Sequence, residues 1–113
     1  MLNKKYRFHS RGGVKYVYRH GKTVRRPELS LIFCNNERGR TRVAVVVSKK
    51  VDKTAVARNR IRRRIYEVVR LNFNRLKTPR DYIFVVYSRK VKEMPAVELE
   101  KLVCSLIEES VVQ

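Results

Sequence analysis

Two apolar runs of strand character, RVAVVVS at 42–48 and DYIFVVYS at 81–88, flank the longest helical pattern in the chain, residues 54–77. Both runs are rich in β-branched and aromatic residues, which suit a pleated, packed surface. RVAVVVS is apolar on both faces, which predicts a central strand covered on both sides. Within 54–77, Ile61, Ile65, Val68, Val69, Asn72 and Leu76 fall within about 100° of arc at 3.6 residues per turn, so one side of the helix is a core face. Thr78-Pro79 ends it, because proline cannot continue the backbone hydrogen bonding. Strand, helix and strand make one βαβ-like unit, and everything else must pack against it.

The flanking segments fit that unit. Gly12-Gly13 opens VKYVYRHG, where Val14, Val17 and Tyr18 at i, i+3 and i+4 predict a short helix stopped by Gly21. After Pro27, Leu29, Leu31 and Phe33 alternate with Ser30 and Ile32, the period of a strand. NNERGRT is a turn-rich connector, and a further strand has room within residues 21–33. From Pro95 a last helix carries Val97, Leu99, Leu102, Val103, Leu106 and Ile107 as its apolar stripe. Glu98 and Glu100 sit at the positive end of its dipole. The expectation is one α+β domain over residues 1–113 with a small mixed sheet and no repeat, linker or low-complexity segment.

Charge divides the chain. It holds 28 Lys and Arg against 10 Asp and Glu, a net of +18. Residues 1–64 carry 20 of the basic residues against only Glu28, Glu37 and Asp52, whereas residues 65–113 carry 8 against 7 acids. So many like charges in half a domain repel one another unless a polyanion offsets them; nucleic acid is the first candidate and an acidic membrane surface the second. No run of 18 apolar residues exists to span a membrane. The start, MLNKKYRFHSRGG, is basic but lacks the apolar stretch of a secretory signal. Cys34 and Cys104 are expected to be reduced structural thiols in a cytoplasmic protein.

The segment 48–64 concentrates eight Lys and Arg. With Ile61 at the centre of the buried face, Asn59, Arg63, Tyr66 and Arg70 lie on the opposite side, and Arg60 and Arg62 flank that patch at about 100° from Ile61. Guanidinium groups can grip two phosphate oxygens and stack on bases. Asn59 adds a neutral donor and acceptor able to read a base edge or a ribose hydroxyl. Arg58 and Arg64 fall at the apolar border, where they are expected to snorkel or to serve neighbouring strands. Such a face points to nucleic acid and says little about which one.

ARNRIRRRI, following the SKK that closes an apolar strand, resembles the signature of the protein subunit of bacterial ribonuclease P. YRF with VKYVYRHG, and DYIFVV after the long helix, extend the resemblance over residues 4–107. It implies an α-β-β-β-α-β-α fold with a left-handed βαβ crossover. It implies a role in endonucleolytic removal of the 5′ leader from precursor tRNA. The catalytic centre would lie in an RNA subunit, bound 1:1, with Mg²⁺ held chiefly by that RNA. By the same resemblance Arg58, Asn59, Arg60, Arg62 and Arg63 would contact the RNA subunit. Ser48, Lys49 and Lys50 would border the cleft for the single-stranded leader, and Tyr18 would be a cleft aromatic. Val14 and Ile32 stand where the family often has aromatics, with Phe33 one residue on from Ile32; a shift of one in the alignment would restore Phe33. This cleft is therefore expected to stack less and to rely more on charge.

No catalytic set stands out. Metal-independent ribonucleases usually want two positioned acid–base groups. The histidines are His9, in the basic arm, and His20, at a helix end. Glu98, Glu100, Glu108 and Glu109 read as a solvated helix face, and neither a glycine-rich phosphate loop nor Cys–His metal spacing occurs. No catalytic residue, protein-bound metal, DNA partner or membrane partner is expected. Two other readings compete: a structural RNA-binding protein of ribosomal type, and an autonomous ribonuclease using His9 or His20.

Overall fold

The structure, a computed structural model, describes residues 2–8, 11–37 and 39–113, so His9 lies outside the described residues. The elements are α1 (Arg11–His20), β1 (Lys22–Arg25), β2 (Leu29–Asn35), β3 (Arg42–Val47), α2 (Ala55–Leu71), β4 (Arg80–Val86), α3 (Lys90–Glu93) and α4 (Ala96–Val111). Short 3₁₀ turns cover Lys4–Tyr6 and Phe73–Arg75. This is the α-β-β-β-α-β-α order with one extra short helix, and β1 is the strand for which residues 21–33 had room.

The sheet order is β1-β2-β4-β3. β1 with β2 and β2 with β4 are antiparallel, and β3 runs parallel to β4 with Val45 beside Phe84. Alternation sorts the side chains into two layers. Leu29, Leu31 and Phe33 of β2, Val43, Val45 and Val47 of β3, and Tyr82, Phe84 and Val86 of β4 pack against Ile61, Ile65 and Val69 of α2 and Leu99, Val103 and Leu106 of α4. On the other face Ile32, Ala44 and Ile83 lie under Phe8 and Val17 of α1. That second layer is short, and Val46 and Val85 beyond it are only partly covered.

β3 lies at the edge of the sheet, not at its centre. Its two apolar faces have a different cause: one packs on α2 and the other under Phe8. The N-terminal arm covers part of the edge, where Arg7 bridges Val43 and the Phe8 N–H donates to the Val43 carbonyl at 3.2 Å.

The start of α2 is fixed twice. The Thr54 hydroxyl accepts from the Ala57 N–H at 3.2 Å, and the buried Asp52 carboxylate accepts from the Thr54 N–H at 3.0 Å. That backbone donor, helped by the Thr54 hydroxyl, Arg89 and Lys92, holds the Asp52 pKa below the ordinary value against the cost of desolvation. α2 ends at Leu71, short of the expected residue 77, because the buried Asn72 caps it; its N–H and Nδ2 both donate to the Val68 carbonyl. Two further arginines are structural. Arg42 and Asp81 form a two-pronged pair at 2.9 and 2.8 Å, with Asn36 donating to the same carboxylate at 2.8 Å and the Arg42 guanidinium 4.5 Å from the Phe8 ring centre. Arg80 donates to the Ser110 and Gln113 carbonyls, both at 2.9 Å, and ties the end of α4 to the sheet. Cys34 and Cys104 are unpaired thiols whose pKa values burial raises, so they stay protonated.

Candidate nucleic-acid interface

One side of α2 is core, and the other presents Asn59, Arg60 and Arg63 to solvent with Arg62 half-buried beside them. Arg62 donates to the Asn59 side-chain oxygen, which orients both groups. Arg60 approaches Glu93 at 3.8 Å, but both side chains are exposed, so the pairing is weak and the guanidinium is available to phosphate. These four residues form the arginine surface that the helical arithmetic placed there.

The other expected members differ. Arg58 turns back on its own loop and donates to the Asp52 and Lys53 carbonyls at 3.0 and 2.9 Å. Arg64 donates to the carbonyls of Val91 and Lys92 in α3 and of Met94 at its end, so the border arginines serve a loop and a helix end rather than strands. Arg70 is engaged with Glu67 one turn back and pulls that carboxyl down to about 2. Tyr66 is buried, not on the solvent side. Burial raises the pKa of its phenol, and the Arg7 guanidinium lies 5.7 Å from its ring centre. A uniform 100° step cannot anticipate this, because the β3 edge and the N-terminal arm rise beside α2 and enclose that flank.

Between these parts runs a groove of about 680 Å³. Val14 and Val46 line it on the sheet side, and Asn59, Arg62, Arg63 and Arg7 on the helix side. It therefore joins the open end of the sheet face, around the edge of β3, to the arginine surface. Arg7 and Phe8 are the lining residues that motif reasoning passed over; their signal was the basic–aromatic alternation of KKYRF.

The expected leader residues divide by strand alternation. Tyr18 stands on α1 with 46 % of its surface exposed. Val14 is half-buried against the cluster that holds Ile32, and Ile32 itself is buried as floor. Ser48, Lys49 and Lys50 are exposed at the end of β3. Phe33 does not join them. Adjacent strand residues point to opposite faces, and Phe33 lies in the α4-side core, 6.4 Å from the Tyr82 ring centre. The one-residue shift therefore brings no ring into the cleft.

The His20 ring stacks on Tyr16 at 4.2 Å, and its Nδ1 lies 3.1 Å from the Tyr16 carbonyl. Among the described residues no three His, Cys, Asp or Glu side chains come together as metal ligands. No helix among them is long and apolar enough to cross a membrane.

The family profile described as Ribonuclease P matches residues 2–110. The ribonuclease P protein component of Pelotomaculum thermopropionicum is 36 % identical over 97 residues, spanning 86 % of this chain and 78 % of that one. That of Clostridium kluyveri is 36 % identical over 106 residues, 93 % of this chain and 94 % of its own. In fold, the chain is similar to the ribonuclease P protein of Staphylococcus aureus, with a TM-score of 0.82, 24 % identity and coverage of 93 % and 94 % of the two chains. The Thermotoga maritima protein gives 0.81 at 19 % identity, covering 91 % and 96 %.

Proposed function

The chain belongs to the ribonuclease P protein family, and from that premise we propose that it works as an RNA-holding subunit whose own side chains perform no chemistry. As a ribonuclease P protein component it is a subunit of an endoribonuclease holoenzyme that processes tRNA, with the ribonuclease P RNA and precursor tRNA as partners. In our reading the catalytic centre and its Mg²⁺ belong to the RNA. The buried carboxylates of this chain are already engaged, Asp81 by Arg42 and Asp52 by Thr54, and neither is free to hold a metal. One protein would bind one RNA.

The observation that carries this reading is the groove around the β3 edge, which connects a cationic helix face to a partly apolar sheet face. Asn59, Arg60, Arg62 and Arg63 would hold the phosphates of the RNA subunit. Val14, Ile32, Val46 and Val85 would floor a cleft for unpaired leader bases, with Tyr18 as a stacking wall and Ser48, Lys49 and Lys50 at the rim. Stacking tolerates any base and charge tolerates any sequence, which suits a leader of variable sequence. Neutralised phosphates on both strands would let substrate and RNA subunit approach.

Tyr18→Ala tests the cleft. In the holoenzyme assembled with its RNA, it is expected to weaken binding of 5′-extended precursor tRNA about five- to a hundredfold, as the loss of one stacked base does. Mature tRNA, lacking the leader, should bind as before. Equal losses for both substrates would place Tyr18 outside the leader path.

A further inference from the structure

β4 ends at Val86, and the next residue is a tyrosine. Alternation sends Tyr82, Phe84 and Val86 to the α2 and α4 layer and Ile83 and Val85 to the α1 side, so Tyr87 projects on the α1 side. Its backbone is anchored by an N–H bond to the Glu28 carbonyl at 2.9 Å, while the residue stays 49 % exposed. The parallel pairing of Val47 with Val86 brings Ser48 alongside it, with Lys49 and Lys50 following. Tyr18 on α1 is near enough to feel it: after burial, the Tyr87 phenol is the second cause that raises the Tyr18 pKa. Two half-exposed rings thus rise from different elements at the open end of the sheet, where Val46 and Val85 are only partly covered.

An exposed tyrosine at a strand end is unremarkable alone. Here it stands near Tyr18, on a side of the sheet where the other candidate positions, Val14 and Ile32, are aliphatic. One ring offers a single stacking surface; a second ring on a fixed backbone lets a neighbouring base of the same strand stack as well, while the rim lysines meet the phosphates.

We propose that Tyr87 is a second base-stacking residue of the leader cleft, acting beside Tyr18 where Val14 and Ile32 provide no ring. This rests on the leader-cleft reading above. The test uses holoenzyme carrying Tyr87→Ala, Tyr87→Phe or Tyr18→Ala, and precursor tRNAs with 2-aminopurine at single leader positions. Tyr87→Ala is expected to weaken precursor binding roughly tenfold and leave mature tRNA binding unchanged, with Tyr87→Phe within about twofold of the parent. Stacking quench should be lost at one leader position with Tyr87→Ala and at a different one with Tyr18→Ala. If Tyr87→Ala changes neither precursor affinity nor any fluorescence signal while Tyr18→Ala changes both, the proposal falls and the leader cleft stands. If neither variant changes them, both fall. Equal weakening of precursor and mature tRNA by Tyr87→Ala would also overturn the proposal.

Discussion

Replacing Arg60, Arg62 and Arg63 together by alanine is expected to lower affinity for ribonuclease P RNA on the order of a hundredfold at 0.1 M salt. Each phosphate contact releases counterions and contributes about 0.7–0.9 to the slope of log affinity against log salt, so three contacts amount to a slope of roughly 2–3. At 0.1 M, each unit of slope is about tenfold relative to 1 M. The fold should not suffer. Arg60 and Arg63 are exposed, Arg62 is half-buried, and the Arg60–Glu93 approach at 3.8 Å is a surface pair of little worth. A salt titration of binding, with a thermal melt as control, reads both quantities. A triple variant with an unchanged slope would remove the α2 face from the RNA contact.

Arg42→Ala is expected to act in the opposite way, on stability first. The side chains of Arg42 and Asp81 are only 12 % and 6 % exposed, and they meet in a two-pronged hydrogen-bonded pair. Removing one partner leaves a buried carboxylate with Asn36 as its remaining donor among the described residues, a change that costs about 3–5 kcal/mol. Contact of the guanidinium with the Phe8 ring is lost as well. Denaturant unfolding should show the loss, and Tm should fall by about 10 °C or more. Arg42→Met combined with Asp81→Leu should recover much of it, because no uncompensated charge is then buried. A single variant within about 0.5 kcal/mol of the parent would contradict this account of the pair. The pair matters to function because it fixes the ends of β3 and β4 and the N-terminal arm around the groove.

Periodicity made much of this legible in advance. The apolar stripe of 54–77 marks α2 and its orientation, and Asn59, Arg60, Arg62 and Arg63 sit on the face that a 100° step assigns to them. Errors arose where a neighbouring element changed what a face touches. RVAVVVS is buried on both sides, yet it is an edge strand, because α2 and Phe8 cover it rather than two neighbouring strands. Tyr66 is enclosed by the β3 edge and Arg7, a contact across more than 50 residues of sequence that no local pattern encodes. Asn72 could be placed on the buried face, but its role as the cap that ends α2 depends on the hydrogen bond to Val68. Tyr87 was visible only as the tail of an apolar strand. Its place beside Tyr18 needed the β4 alternation and the docking of α1 on that side of the sheet.

The central claim concerns where the chemistry resides, and cleavage of a 5′-extended precursor tRNA tests it most directly. The measurement compares purified protein, protein with ribonuclease P RNA, and RNA alone, all in low Mg²⁺. The account predicts no cleavage by the protein by itself and cleavage at the leader junction once protein and RNA are combined. Junction cleavage by protein free of RNA, abolished by His20→Ala, would contradict it and move the active site into this chain.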